Sequence, residues 1–155
     1  MFELNMVGHV HLKVSDLKRS VKFYTEVLGF RVTERVANFV FLTISNRHHD
    51  LALQEVGLHA PRPAPNAIGL FHVAFELPTM RALADAYVKL HEAGVRITGA
   101  VDYGISKTIY FPDPDGNGIE LYVDTRHERP KWGGLSQPLD IEALLALRQT
   151  EAKIE

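Results

Sequence analysis

Apolar and polar residues alternate from position 9 onward. Val10, Leu12 and Val14 interleave with His9, His11 and Lys13, the two-residue period of a strand with one buried face. Leu17, Val21, Tyr24 and Leu28 then fall on one helical face. Ser15 or Asp16 is placed to cap that helix by accepting from an orphan backbone N–H. Gly29 stands where a C′ glycine closes a helix in the left-handed conformation. The same order recurs further on. Val73, Phe75 and Leu77 alternate with His72, Ala74 and Glu76, a helix is predicted over 80–93, and Gly94 closes it. His9 matches His72 and Tyr24 matches Tyr87 at one common offset, and Gly29 matches Gly94 after a short insertion. One copy is a common strand–helix pattern; two in register predict a duplicated module.

Further strands are predicted over 31–36, 38–44 and 50–56 in the first copy, and over 96–103, 107–111 and 118–123 in the second. Each module is then βαβββ, and the fold class is α+β: two modules forming a cup-like curved mixed sheet with helices outside. The three prolines within 59–69 mark a linker, and PDPDGNG at 112–118 is turn chemistry. The expected organisation is a single domain over 1–155, with module 1 at about 7–57, a linker at 58–69, module 2 at about 70–124 and a tail at 125–155. The tail ends in an amphipathic helix over about 140–151. Its stripe of Ile141, Leu144 and Leu145 needs covering, by the domain or by a second subunit.

Composition narrows the chemistry. The chain has 155 residues, enough to bury a core without disulfides, and no cysteine. Thiolate ligands and cysteine nucleophiles are thereby excluded, so a metal site has to use His, Asp, Glu or water. A net charge of −2 gives no pull toward nucleic acid or an anionic membrane. No apolar run approaches bilayer length, and MFELNMVGHV lacks the basic and apolar regions of a signal peptide. The expected location is cytoplasmic.

Alternation also sorts the polar residues by face. His9 and His11 lie opposite the aliphatic side of the first strand, and His72, Ala74 and Glu76 do so in module 2. On the last strand Ile119, Leu121 and Val123 pack under the helix, so Glu120 and Tyr122 point the other way. Two imidazoles and a carboxylate form a ligand set suited to non-haem Fe(II) or Mn(II). Three protein ligands leave open positions, as catalysis requires. A single strand histidine is most often structural. The equivalent placement of His9 and His72 in the two copies is what singles them out.

HVHLKVSDLKRSVKFYTEVLGF, LFHVAFEL and FPDPDGNGIELY resemble the vicinal oxygen chelate superfamily over about residues 7–124. That group includes glyoxalase I, extradiol dioxygenases, fosfomycin-modifying thiol transferases and bleomycin-binding proteins. The resemblance implies the metal ligands His9, His72 and Glu120, with Fe(II) the first expectation and Mn(II) the second. Glyoxalase I is similar but uses a fourth protein ligand on the last strand of module 1. Ala52 stands there, and Gln54 would serve only with a shifted register. A complete His, His, Glu set argues against the metal-free bleomycin-binding cleft. A phosphonate site needs several cations, for which Lys13 and Lys107 are the candidates.

NRHHDLALQ is similar to the extradiol stretch bearing an acid/base histidine, here His49. GISKTIYFPDPDGNGIELY is similar to the stretch with an active-site tyrosine, here Tyr110. DTRHERPKW is similar to small catechol 2,3-dioxygenase-like proteins. One departure stands out: those enzymes usually carry histidine before the G-x-S turn, where this chain has Tyr103. A tyrosine there could hydrogen-bond a substrate oxygen but carries protons poorly near neutrality. The resemblance implies a metal-dependent extradiol-type dioxygenase acting on a catechol-like diol, with His49 and Tyr110 catalytic and His11 and Tyr103 contacting substrate. The alternatives are an isomerase- or lyase-type metalloenzyme of the same group, or a non-catalytic small-molecule-binding protein. The implied partners are a small-molecule substrate, dioxygen and a second copy in a homodimer. If a strand begins at His48, His48 and His49 point to opposite faces. His59, His91 and His127 are expected to be solvated, and Asp113 and Asp115 to be turn-formers.

Overall fold

A computed structural model of the chain describes residues 1–149. The described residues separate into two compact units, the first being Met1–Gly69 and the second beginning at Leu70. That boundary falls at the end of the proline-bearing stretch.

In unit 1 the strands are β1 (Val10–Val14), β2 (Arg31–Val36), β3 (Phe39–Thr43) and β4 (Leu51–Glu55). They form one mixed sheet in the order β1-β4-β3-β2, with β1 and β4 parallel and the other pairs antiparallel. Leu12 and Val14 are buried while His11 and Lys13 are exposed, so the alternation read from the sequence is the burial pattern of β1. Helix α1 (Leu17–Lys22) is capped by Asp16, not Ser15: Asp16 Oδ1 accepts from the Arg19 N–H at 2.8 Å. The predicted helix then changes character. Residues Phe23–Val27 form a π turn, in which the Leu28 N–H reaches back to the Phe23 carbonyl. The Thr25 hydroxyl donates to the Val21 carbonyl at 2.8 Å, a local competitor for the backbone ladder that widens helices. Gly29 follows at φ +79° and reverses the chain. Tyr24, Leu42, Leu51 and Leu53 are fully enclosed and centre the core of this unit.

Unit 2 repeats the plan. Strands β5 (Val73–Glu76), β6 (Gly99–Asp102), β7 (Ser106–Pro112) and β8 (Gly118–Asp124) pair as β5-β8-β7-β6, again with the first and last strands of the module parallel. A short β9 (Gln137–Pro138) extends the β6 edge. Helix α2 (Met80–Glu92) is capped by the Thr79 hydroxyl. It closes in a Schellman motif, the Val95 N–H bonding the Leu90 carbonyl and the Gly94 N–H the His91 carbonyl, with Gly94 at φ +70°. Strand β6 begins three residues later than expected: residues 96–98 are not strand, and the ladder starts where Gly99 meets Tyr110. Ile109, Phe111, Ile119, Leu121 and Val123 face a core shared with Leu83 and Leu90 of α2. Asp113 is a turn-former as expected, its carboxylate accepting from the Asp115 and Asn117 N–H groups at 2.8 Å each.

The tail joins unit 2. Helix α3 (Ile141–Ala146), capped by Asp140, buries Leu144 against α2 and half-buries Ile141 and Leu145. Arg148 pairs with Asp85 of α2 at 2.8 Å. The helix is shorter than the 140–151 expected. Gln149 already lies in a turn, and the end of that prediction falls outside the described residues. No described helix is long and apolar enough to cross a membrane.

Candidate functional site

The two parallel strand pairs fix which residues correspond between units. Ala74 of β5 lies opposite Glu120 of β8, and His11 of β1 lies opposite Ala52 of β4. Ala52 is therefore the structural counterpart of Glu120. It is buried and carries no donor atom. Gln54 pairs with Lys13, one full alternation further along.

In unit 2, Glu120 is nine-tenths buried and each of its oxygens has a partner. Its Oε2 lies 2.8 Å from His72 Nε2. Its Oε1 accepts from the Thr108 hydroxyl at 2.7 Å and from the Tyr110 hydroxyl at 3.1 Å. The hairpin register explains the tyrosine: β7 and β8 run antiparallel so that Tyr110 sits directly opposite Glu120. Burial, the Tyr103 hydroxyl and the Glu120 charge hold the Tyr110 phenol well above its ordinary range, so Tyr110 remains a protonated donor. Tyr103 Oη is 3.4 Å from Tyr110 Oη, and the Trp132 ring meets Tyr103 edge-on at 6.3 Å. His72 Nδ1 is buried without a hydrogen-bond partner. Of these, His72, Tyr103 and Tyr110 line a cleft of about 600 Å³, together with Phe71 and Gly99 among others. Gly99 keeps it open: a Cβ there would come 3.3 Å from the Tyr110 ring.

In unit 1 the imidazoles gather on the Phe39–Phe41 side of the sheet. The rings of His9 and His49 are 4.5 Å apart, and His49 stacks obliquely on Phe41 at 5.0 Å. His11 meets Phe39 edge-on at 5.7 Å. His48 and His49 precede β4, which starts only at Leu51, so strand alternation does not govern them. Both turn toward Phe41, with their Nδ1 atoms 2.9 Å apart. Asp50 sets this bend. Burial would raise its pKa, but bonds from the Thr43 hydroxyl, the Ile44 and Ser45 N–H groups and the Ser45 hydroxyl outweigh burial and lower it. The His49 pKa is lowered by burial first, then by His9, His48 and His11, against an opposing pull from Asp50.

Unit 2 thus brings together His72, Glu120, Tyr110 and Tyr103, and unit 1 brings together His9, His49 and His11. His59, His91 and His127 are exposed. Lys107 is bound to Glu128 at 2.7 Å, so its charge is already countered. Sequence reasoning missed Thr108 and the approach of His48 to Glu34. Thr108 occupies the same face of β7 as Tyr110, and that two-residue spacing was its available signal.

The residues of unit 2 fit a divalent ion. An imidazole nitrogen and a carboxylate oxygen 2.8 Å apart can occupy adjacent coordination positions once the proton between them leaves. The second carboxylate oxygen is held by two hydroxyls, the outer support that metal-binding carboxylates generally have. Among the described residues, no group of three or more His, Cys, Asp or Glu side chains is already arranged to hold a metal ion.

Comparison with known proteins agrees with this plan. Residues 6–121 match the model of the Glyoxalase/Bleomycin resistance protein/Dioxygenase superfamily. The chain is 34% identical over 153 residues to "Catechol-2,3-dioxygenase" of Bacillus subtilis (strain 168), covering 95% of this chain and 53% of that protein. It is 34% identical over 119 residues to "Biphenyl-2,3-diol 1,2-dioxygenase 3" of Rhodococcus globerulus, covering 76% and 63%. It is also 31% identical to "Glutathione transferase FosA" of Serratia marcescens, covering 77% and 82%. Among solved structures, a glyoxalase/bleomycin resistance protein/dioxygenase from Nocardioides aligns with TM-score 0.63 and 26% identity, covering 84% of this chain and 91% of that one. The chain spans little more than half the length of the two dioxygenases. The duplicated βαβββ plan and the family match together place this chain in the glyoxalase/bleomycin resistance/dioxygenase superfamily, the vicinal oxygen chelate proteins.

Proposed function

We propose that the chain is a metal-dependent extradiol-type dioxygenase acting on a catechol-like aromatic diol, with His9, His72 and Glu120 as metal ligands. The observation that carries this reading is the chain Tyr110–Glu120–His72, in which one carboxylate is shared between a ligand-type imidazole and a protonated phenol. Fe(II) is the proposed ion and Mn(II) the second choice. A bound divalent ion supplies positive charge that acidifies a coordinated hydroxyl and leaves positions for substrate and dioxygen.

The chain's own residues do the rest. Tyr110, by turning its single O–H from Glu120 to the substrate, donates a hydrogen bond at the oxygen nearest Glu120. Tyr103, held beside it, supplies a second donor. His49 exchanges the proton of the second diol hydroxyl, and its lowered pKa keeps it neutral and ready to accept near pH 7. His11, whose ring meets Phe39 edge-on, is a further proposed substrate contact. Ala52 in the Glu120-equivalent position counts against the four-ligand glyoxalase arrangement. The Lys107–Glu128 pair counts against a phosphonate site, despite the similarity to the fosfomycin-type transferase.

Oxygen uptake by the iron-reconstituted chain against a panel of catechols tests this. The expected result is uptake of one dioxygen per diol with a yellow ring-cleaved product. No uptake by fully iron-loaded protein refutes the dioxygenase reading. It would favour isomerase or lyase chemistry, or simple ligand binding, in the same fold.

A further inference from the structure

Unit 1 holds an ordered chain of polar groups ending on His49, and the reading above leaves its first two members, Glu34 and His48, unused. Glu34, on β2, places Oε2 3.0 Å from His48 Nε2, and His48 Nδ1 lies 2.9 Å from His49 Nδ1. An ionised carboxylate only accepts, so His48 Nε2 must carry a hydrogen. A neutral His48 then presents a lone pair at Nδ1, and the hydrogen between the two rings belongs to His49 Nδ1. His49 Nε2 is left without a hydrogen. The Phe41 ring flanks both imidazoles, at 5.5 Å from His48 and 5.0 Å from His49, and limits their rotation.

We propose that Glu34 and His48 form a positioning pair that holds His49 as its Nδ1–H tautomer, leaving the Nε2 lone pair as the one free to face a substrate. The catalytic consequence rests on the dioxygenase reading; the tautomer itself does not. Which ring nitrogen of a working histidine is protonated is set by the bond its other nitrogen makes. Here an imidazole stands in for the carbonyl or carboxylate that commonly does this. The Nδ1 hydrogen stays on His49 in this arrangement, so the pair orients the ring and no proton travels along it. Glu34 and His48 side chains are 51% and 54% exposed. Their role is therefore to orient His49, since a pair this exposed stores little electrostatic energy.

The test is long-range ¹H–¹⁵N NMR of the histidine-labelled 155-residue chain, metal-free and loaded with diamagnetic Zn(II). The pH is alkaline, so that the imidazoles are neutral. His49 should read as Nδ1–H in the wild type. His48→Phe and, separately, Glu34→Ala should convert it to a mixture or to Nε2–H. His48→Asn, whose amide oxygen accepts near the Nδ1 position, should restore Nδ1–H. In the iron enzyme His48→Phe should lower kcat for ring cleavage about tenfold with KM unchanged, and His48→Asn should recover it. An Nε2–H tautomer in the wild type, or an unaltered Nδ1–H in His48→Phe, overturns the proposal. Unchanged kcat despite a lost tautomer overturns its catalytic half. A correct tautomer pattern in a protein that cleaves no catechol counts against the dioxygenase reading and leaves the pair supported.

Discussion

At the scale of single residues, Glu120 and its partners account for most of the candidate chemistry in unit 2. A carboxylate this buried costs free energy unless its lone pairs are engaged, and His72, Thr108 and Tyr110 engage them. The three partners do different things. His72 approaches Oε2, the oxygen turned away from both hydroxyls. Thr108 is completely buried and only fixes the carboxylate. Tyr110 lines the cleft as well as bonding Glu120, so it alone of the two hydroxyls can meet a substrate. Tyr110→Phe should therefore leave metal content at its wild-type level and lower kcat by about 10²-fold. Metal analysis beside steady-state oxygen uptake would check this, and loss of metal together with activity would show that the phenol serves only to hold Glu120. Tyr110 was legible only through the family resemblance of its stretch, and the antiparallel ladder across the PDPDG turn is what sets it opposite Glu120. Thr108 was not, since a threonine in a strand looks like an ordinary β-former until its burial is known.

Elements decide where these residues can stand. The repeat of His9 by His72 reappears as a repeat of pairing, β1 beside β4 and β5 beside β8, with Ala52 and Glu120 in matching places. Periodicity made that legible because strand alternation and ladder register share one period. It could not show the π turn, within which the Thr25 hydroxyl bonds the Val21 carbonyl. Nor could it place His48, because the Asp50-centred bend before β4 removes that residue from any strand. Two glycines separate the structural demands of elements from those of the site. Gly94 needs its positive φ to close α2 but has open space where a Cβ would go. Gly118 has the reverse constraint: a Cβ would lie 2.4 Å from the Phe71 carbonyl and 3.2 Å from His72 Cβ. Gly94→Ala should cost about 1 kcal/mol in urea unfolding and leave metal affinity unchanged. Gly118→Ala should push the start of β5, and His72 with it, away from Glu120 and weaken metal binding by about 10–100-fold. Equal metal affinity in the two variants would mean that the His72–Glu120 geometry does not matter for binding.

For the whole molecule, the proposed ion should act as a ligand of the folded state. A group that binds only the native chain stabilises it by about 2.7 kcal/mol at a hundredfold excess over Kd. For a chain of 155 residues, each kcal/mol raises Tm by roughly 2–4 °C. Saturating Mn(II), or Fe(II) without oxygen, should then raise Tm by roughly 5–10 °C over the chelated protein. The three proposed ligands make the prediction specific. His72→Ala leaves Glu120 without its nitrogen partner and should abolish both the shift and the stoichiometric metal in purified protein. His9→Ala, the ligand proposed from the first unit, should do the same. His11→Ala, two residues beyond His9 on an exposed face of β1, should keep the full shift. Calorimetry with and without chelator measures all four proteins on one scale. A shift that survives His9→Ala would remove His9 from the ligand set while leaving His72 and Glu120 in it. A shift that survives His72→Ala would put the ion somewhere other than the buried carboxylate of β8.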